Sequence, residues 1–348
     1  RYYCIFYLIF YTIQNNPKNN EMEQKIADFW KKLALAKNIL LINHVRMDPD
    51  AFWSLAGLYF TLEKMWYNLV AINDDNTPDE FAFLEANEII NPKLNITDFN
   101  PDMIISLDAA SLSQLWETYI KNKDIFDTTD FVVFDHHVTN PGFWTLNIID
   151  TQASSTCEVL FKTLETLWID KKYFDEKIAT LFTAWIHTDT NIFYNSNTTP
   201  ETLRTAAKLM EYGADFRAPM YEFYKKKTFK RTKLWWEVLK DIEQSDDKKI
   251  TYAIVKDEYF EKTGTTNNDT TWLTNEFLAN MDGSEVCFLL YNIWWGKIKW
   301  SMRSKSVNVS EICASLGWWG HKLAAGFSTE LSFEEISKLL INKIQEQL

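Results

Sequence analysis

Glycine is scarce in this chain: 9 residues in 348, against 15 tryptophans. Tight left-handed turns and close backbone approach to a ligand usually depend on glycine. The shortage therefore leaves either few such turns or bulky residues inside them. Cysteine is scarce too, and Cys4, Cys157, Cys287 and Cys313 lie far apart. That spacing excludes a disulfide framework and a thiolate zinc site, and it points to reduced thiols in a cytoplasmic protein. No run reaches the roughly 18 apolar residues of a membrane span. Positive charge is in deficit, with 36 Lys and Arg against 48 Asp and Glu and a net charge of -12. This argues against a basic surface gripping long duplex nucleic acid. A small phosphorylated substrate remains open, because metal ions can meet its charge locally.

What is present is ordinary globular material: 46% apolar and 24% charged residues, enough to bury a real core in two domains. The opening stretch RYYCIFYLIFYTIQNNPKNN is apolar and then polar, and it lacks the small-residue cleavage site of a signal peptide. Residues 1–21 are expected to be a non-native or disordered extension, with the natural start near Met22.

From there, short apolar runs alternate with helical stretches. NILLINH (38–44), NLVAIND (68–74), MIISLD (103–108) and FVVFDHH (131–137) read as strands. SLAGLYFTLEKM (54–65), STCEVLFKTLETL (155–167), EKIATLFTAWI (176–186) and TPETLRTAAKLMEYGAD (199–215) read as helices. Such alternation predicts βαβ units and a parallel sheet with its ligand site beyond the carboxyl ends of the strands. Residues 216–240 carry a basic run and read as a linker helix region. ITYAIV (250–255), VCFLLY (286–291) and KIKWSMRS (297–304) then predict a smaller α/β domain, closed by a helix over 332–347. GHKLAAGF (320–327) reads as a tight phosphate-facing loop running into a helix.

The chemistry gathers where the strands end. His44, Asp48 and Asp50 share one stretch; Asp108 closes MIISLD; Asp135, His136 and His137 form DHH; His187 and Asp189 lie in HTDT. A lone His or Asp in a loop is ordinarily a cap or a solvated group. Four such clusters at the ends of one predicted sheet are harder to dismiss. Mixed imidazole and carboxylate donors suit Mn²⁺ or Mg²⁺, and two such ions can activate water and clamp a phosphoryl displacement.

Taken in order, HVRMDPDAFWS, ISLDAAS, FDHHVTN and TAWIHTDTNIF resemble the four motifs of the DHH phosphoesterase superfamily. KWSMRS with GHKLAAGF resembles its C-terminal DHHA1 domain. The likeness runs from about residue 22 to the end and is nearest to the oligoribonuclease and 3′-phosphoadenosine 5′-phosphate phosphatase group.

The resemblance implies an N-terminal DHH catalytic domain (22–215) with a parallel sheet flanked by helices. The linker (216–240) would join it to a smaller α/β DHHA1 substrate-binding domain (241–348), with the active site in the cleft between them. It implies two divalent ions, Mn²⁺ first and Mg²⁺ as the alternative. His44 and Asp48 would bind one ion. Asp50, His136 and Asp189 would bind the other, and Asp108 would bridge them. Asp135 would orient His136, and His137 would face the scissile phosphate. Arg303, Ser304, Gly320 and His321 would hold the substrate's other phosphate or terminal nucleotide. His187 reads as a helix-end residue rather than a ligand, and Ser154, Ser155 and Thr156 as helix caps.

The implied activity is hydrolysis of short oligoribonucleotides or linear dinucleotides to mononucleotides, with 3′-phosphoadenosine 5′-phosphate to AMP as a second reaction. The partners would be short RNA or nucleotides, with no membrane and with a homodimer left open. A cyclic-dinucleotide phosphodiesterase, or a non-catalytic nucleotide-binding protein, are the alternatives.

The sequence departs from the family pattern in one way. Trp53, Trp185, Trp318 and Trp319 stand where the pattern has glycine, and Trp66, Trp144, Trp168, Trp294 and Trp295 lie at apparent helix ends or turns. Three readings compete: genuine packing aromatics, indoles that stack on bases, or UGA codons that the source reads as glycine. The last is preferred. Tryptophan and glycine together make up about 7% of the chain, the share glycine alone usually holds.

Overall fold

The computed structural model describes residues 21–77, 81, 83–91, 94–142, 144–166, 173–293, 296–316 and 322–348. Residues 1–20 of the expected extension, Trp168, Trp294, Trp295, Trp318, Trp319, Gly320 and His321 lie outside the described residues. The chain divides into two units, one ending at Lys226 and one covering Lys227–Leu348.

In the first unit, α1 (Glu21–Leu35) turns Ala27, Phe29, Trp30 and Leu33 inward. Strand β1 (Asn38–Asn43) follows. Helix α2 (Pro49–Lys64) begins where the Asp48 side chain accepts from Ala51 N at 3.0 Å and Pro49 occupies the first turn, a start that satisfies one orphan donor and wastes none. Then come β2 (Asn68–Ile72), β3 (Met103–Leu107), β4 (Asp130–Asp135) and β5 (Leu146–Ile149). Among the helices that follow are α3 (Thr156–Thr166), α4 (Glu176–Asp189), capped by Asp175, and α5 (Pro200–Glu211), capped by Thr199.

The strands form a parallel sheet in the order β2-β1-β3-β4-β5. Alternation sorts the side chains to two cores. Ile39 and Leu41 of β1 join Ile105 and Phe134 against α1 to α4. Leu40 and Ile42 join Ile104 and Val133 against Ile96, Leu115 and Phe126 on the other face. Burying both faces forces the loops at the strand ends to carry the polar residues.

The second unit begins with α6 (Phe229–Leu239) and β6 (Glu243–Gln244), then β7 (Ile250–Val255), α7 (Asp257–Thr263), β8 (Val286–Asn292), β9 (Ile298–Ser304), α8 (Val309–Ser315), β10 (Ala324–Thr329) and α9 (Phe333–Gln345). Its sheet runs β10-β9-β8-β7-β6, with only the β7–β8 pair parallel among the described strands. Phe288, Leu290, Trp300 and Met302 pack with α8 and α9 on one face. Leu234, Trp235 and Val238 of α6 pack on the other with Val255 and Leu289. The part of the basic stretch that forms α6 thus belongs to this unit's core.

Two local expectations are corrected. The helix expected from GHKLAAGF is strand β10, in which Ala324, Ala325 and Gly326 pair with Arg303, Met302 and Ser301 of β9. A side chain at Gly326 would place its Cβ 3.0 Å from the Trp300 carbonyl oxygen, so the small residues serve close strand contact. Helix α4 continues to Asp189, beyond the expected end at 186. No helix among the described residues is long and apolar enough to cross a membrane.

Candidate metal centre

Each candidate donor sits where an apolar strand or helix ends. His44 comes one residue after β1, Asp48 caps α2, and Asp50 lies in the first turn of that helix, fully buried. Asp108 follows β3, Asp135 ends β4 with His136 and His137 next to it, and Asp189 ends α4. Asp108 takes a left-handed backbone (φ 59°) and donates its N–H to the Phe134 carbonyl at 3.0 Å. That bend at the strand end is unusual for a residue with a side chain.

Three overlapping donor groups result: His44, Asp48 and Asp108; Asp108, His136 and His137; and Asp50, His136 and Asp189. In each, one atom per residue lies within 4.8 Å of the others. Asp108 stands between them. Its Oδ2 lies 3.5 Å from His44 Nε2, and its Oδ1 lies 3.8 Å from His136 Nε2 and 3.6 Å from His137 Nδ1. His136 Nε2 is also 3.9 Å from Asp50 Oδ2. His187 belongs to none of these groups; its ring meets the Phe216 carbonyl at 2.9 Å, and burial holds its pKa down to about 4.

The electrostatics are those of too many carboxylates in one place. Burial, then the charges of Asp108 and Asp48, push Asp50 well above the usual range. Burial and the charge of Asp50 do the same to Asp189. The histidines answer in the opposite sense. Burial opposes charge on His44, yet its bonds to Asp108 and Asp48 outweigh that and raise it to about 11. His137 rises to about 9 against its own burial, chiefly through Asp135. Such a cluster suits divalent cations, which supply positive charge that the protein lacks. The donor set fits them: His44 Nδ1 can donate to the Val45 carbonyl at 2.8 Å, which turns the Nε2 lone pair toward Asp48 and Asp108.

The carboxylate of Asp135 differs from its expected partner. Its Oδ1 accepts from the backbone N–H groups of His136 (2.8 Å) and His137 (3.2 Å) and meets His137 Nδ1 at 2.7 Å, while Oδ2 accepts from Asn140 Nδ2 at 2.6 Å. The ring it grips is that of His137; it holds His136 through the main chain.

Several contributors went unread in the sequence. The N-terminus of α3 faces the centre: Thr156 N donates to Asp50 Oδ2 at 2.6 Å and Cys157 N to Asp50 Oδ1 at 3.0 Å. Thr156 Oγ1 donates to Asp108 Oδ1 at 2.8 Å. Ser155 does cap α3, accepting from Glu158 N at 3.0 Å, as expected. Asn73 braces the His44 loop by donating to Asn43 Oδ1 (2.7 Å) and the His44 carbonyl (2.8 Å). Asn195 and Asn197 both donate to the Asp189 carbonyl, at 2.8 and 3.2 Å. The S-x-x-E spacing of Ser155 and Glu158 signals a cap, but no local pattern reveals which carboxylates that cap would meet.

In the second unit, Arg303 and Ser304 end β9. The Arg303 guanidinium donates to the Met302 carbonyl at 2.8 Å and to Ser301 Oγ at 3.3 Å, and it pairs with no carboxylate among the described residues. Gly320 and His321 lie outside the described residues.

Residues 38–186 match the profile of the DHH family, N-terminal domain. Over 92% of its length the chain is 26% identical to the bifunctional oligoribonuclease and PAP phosphatase NrnA of Thermus thermophilus, covering 95% of that protein. The protein of the same name from Bacillus subtilis is also 26% identical, over 89% of this chain and 95% of its own. A crystal structure of an exopolyphosphatase-related protein from Bacteroides fragilis superposes with a TM-score of 0.84 at 21% identity, covering 93% of this chain and 96% of that one; at that identity the likeness speaks for the fold. Residues 38–186 are therefore identified as a DHH-family N-terminal domain.

Proposed function

We propose that this protein is a two-metal phosphoesterase that cleaves short oligoribonucleotides or linear dinucleotides to mononucleotides and also removes the 3′-phosphate of 3′-phosphoadenosine 5′-phosphate. The observation that carries the reading is the sharing of Asp108 between donor groups, one oxygen toward His44 and the other toward His136. The names of the Thermus and Bacillus relatives support the substrates.

On this reading His44, Asp48 and Asp108 hold one ion, and Asp50, Asp108, His136 and Asp189 hold the other. Bound there, two divalent ions would lower the pKa of water and neutralise charge on the phosphoryl group; Mn²⁺ suits the mixed donors, with Mg²⁺ as the alternative. The chain's own residues do the rest. Asp135 fixes the His137 ring through Nδ1, so Nε2 is the atom that meets the scissile phosphate. The bond to Asp135 favours the protonated ring, and from there His137 can donate a proton to a phosphate oxygen or to the leaving group. Arg303, Ser304, Gly320 and His321 take the other phosphate or the terminal nucleotide; the fork of Arg303 matches phosphate.

The test is Mn²⁺-dependent release of mononucleotide from a di- or trinucleotide, and of phosphate from 3′-phosphoadenosine 5′-phosphate, followed by chromatography. Asp108→Ala is expected to abolish both. Turnover that survived this change would rule out the bridging role.

A further inference from the structure

Thr156 was legible only as a cap, and the cap is accounted for by Ser155. Its own atoms are spent elsewhere. The hydroxyl donates to Asp108 Oδ1 at 2.8 Å, and the backbone N–H of the same residue donates to Asp50 Oδ2 at 2.6 Å. Both acceptor oxygens lie on the His136 side of the centre, at 3.8 and 3.9 Å from His136 Nε2. The opposite oxygen of Asp108 faces His44. Thr156 therefore braces Asp50 and the shared Asp108 through the oxygens on the His136 side and bonds to neither His44 nor Asp48.

Its position is fixed by a buried frame. Glu158, fully buried, accepts from Ser154 N at 3.0 Å, from the Ser154 hydroxyl, and from Thr202 Oγ1 at 3.2 Å at the start of α5; Lys162 pairs with its other oxygen at 2.6 Å. Asn197 ties the same segment to the third carboxylate by donating to the carbonyls of both Ser154 and Asp189. The turn that carries Thr156 is thus anchored to α5 and to the main chain of Asp189. A buried network with this many hydrogen bonds restrains its members.

We infer that Thr156 is a positioning residue selective for one of the two ions: it fixes the facing oxygens of Asp50 and Asp108 so that the Asp50–His136–Asp189 side binds its ion tightly, and it leaves the His44–Asp48 side unaffected. The inference rests on the two-ion reading above. A hydroxyl bonded to a ligating carboxylate sets which lone pair the carboxylate presents, and loss of such outer partners typically weakens metal affinity about 10- to 100-fold.

Mn²⁺ titration of the full chain by calorimetry, with electron paramagnetic resonance to detect a coupled pair, tests it without using turnover. Thr156→Val keeps the shape and the backbone N–H and removes the hydroxyl. In this variant one Mn²⁺ equivalent should weaken about 10- to 100-fold and the coupled signal should appear only at higher Mn²⁺, while the other equivalent keeps its affinity. Thr156→Ser should restore both. Should the valine variant fail to fold, Thr156→Ala decides by the same criteria. Two unchanged equivalents would overturn the inference alone. So would equal weakening of both together with a lower thermal midpoint, which marks general loosening. A wild-type chain that takes up fewer than two Mn²⁺ would overturn the two-ion reading, and this inference with it.

Discussion

Trp66 follows the C-cap of α2 with φ 66° and is 91% exposed. Trp66 N bonds to the Glu63 carbonyl and Tyr67 N to the Leu62 carbonyl, the pair of contacts that ends a helix on a left-handed residue, normally glycine. Trp116 and Trp272 are left-handed as well, at φ 45° and 72°. An L side chain there costs about 1–2 kcal/mol, and for so bulky a residue the conformation is an outlier. We therefore expect Trp66→Gly to raise stability by about 1 kcal/mol, read as a shift in denaturant midpoint; a loss would show that the indole contributes packing. Trp53 and Trp185 differ: both are fully buried in the first unit's core, although the Trp185 indole N–H has no hydrogen-bond partner among the described residues. The recoding reading expects glycine at Trp53, Trp66 and Trp185 alike, and peptide masses of the protein from its source decide each position. Cys287 offers a second test at this scale. Burial lifts its thiol from 9.0 to about 12, against the pull of Arg303. The folded state therefore keeps the proton that the unfolded chain loses first. The associated stability is intact below pH 9 and is lost as pH rises toward 12, by at most about 4 kcal/mol. Cys287→Ala should flatten that alkaline limb in pH-dependent unfolding.

Among the elements, α2 and α4 lie so close that a Cβ on Gly57 would stand 2.6 Å from the Phe182 ring. Alanine normally favours a helix over glycine by about 0.5–1 kcal/mol. Here overpacking, typically about 1–3 kcal/mol, should win. Gly57→Ala is predicted to lower the unfolding midpoint, and a higher midpoint would show that Phe182 moves aside freely. The same scale explains what could be read in advance. The strands of the first unit were legible at β1 to β4, because runs such as Ile39–Ile42 are buried on both faces and read as uninterrupted apolar stretches. Strand β5 was not, since Leu146 and Ile148 are buried while Asn147 and Ile149 are half exposed, too short an alternation to stand out. The end of α4 was misplaced because His187, Thr188 and Asp189 are polar; the helix continues through them because Phe216 receives the His187 ring. Strand β10 was hidden because its alanines and glycine carry no strand propensity, and its place is set by pairing with β9.

For the molecule as a whole, the acidic centre predicts metal-linked stability. Mn²⁺ should raise the thermal midpoint and a chelator should reverse the gain, since a ligand that binds only the folded state stabilises it. An unchanged midpoint at saturating Mn²⁺ would exclude tight uptake. The candidate donors were legible because most close an apolar strand or helix and the rest open the helix after β1, and a parallel sheet gathers such ends at one edge. The support at Thr156 was not, because its contacts join residues far apart in the chain, such as Thr156 and Asp50.

The sheet order carries a consequence for biosynthesis. The donors are strung from His44 to Asp189, and the last of them ends a helix made after all five strands. At about 5–20 residues per second, a ribosome delivers Asp189 roughly 7–30 s after His44. During that interval the nascent chain holds an incomplete acidic pocket. On the two-ion reading, the Asp50–His136–Asp189 site is complete only once α4 has emerged and docked, whereas the donors His44, Asp48 and Asp108 are all made by the residue that follows β3.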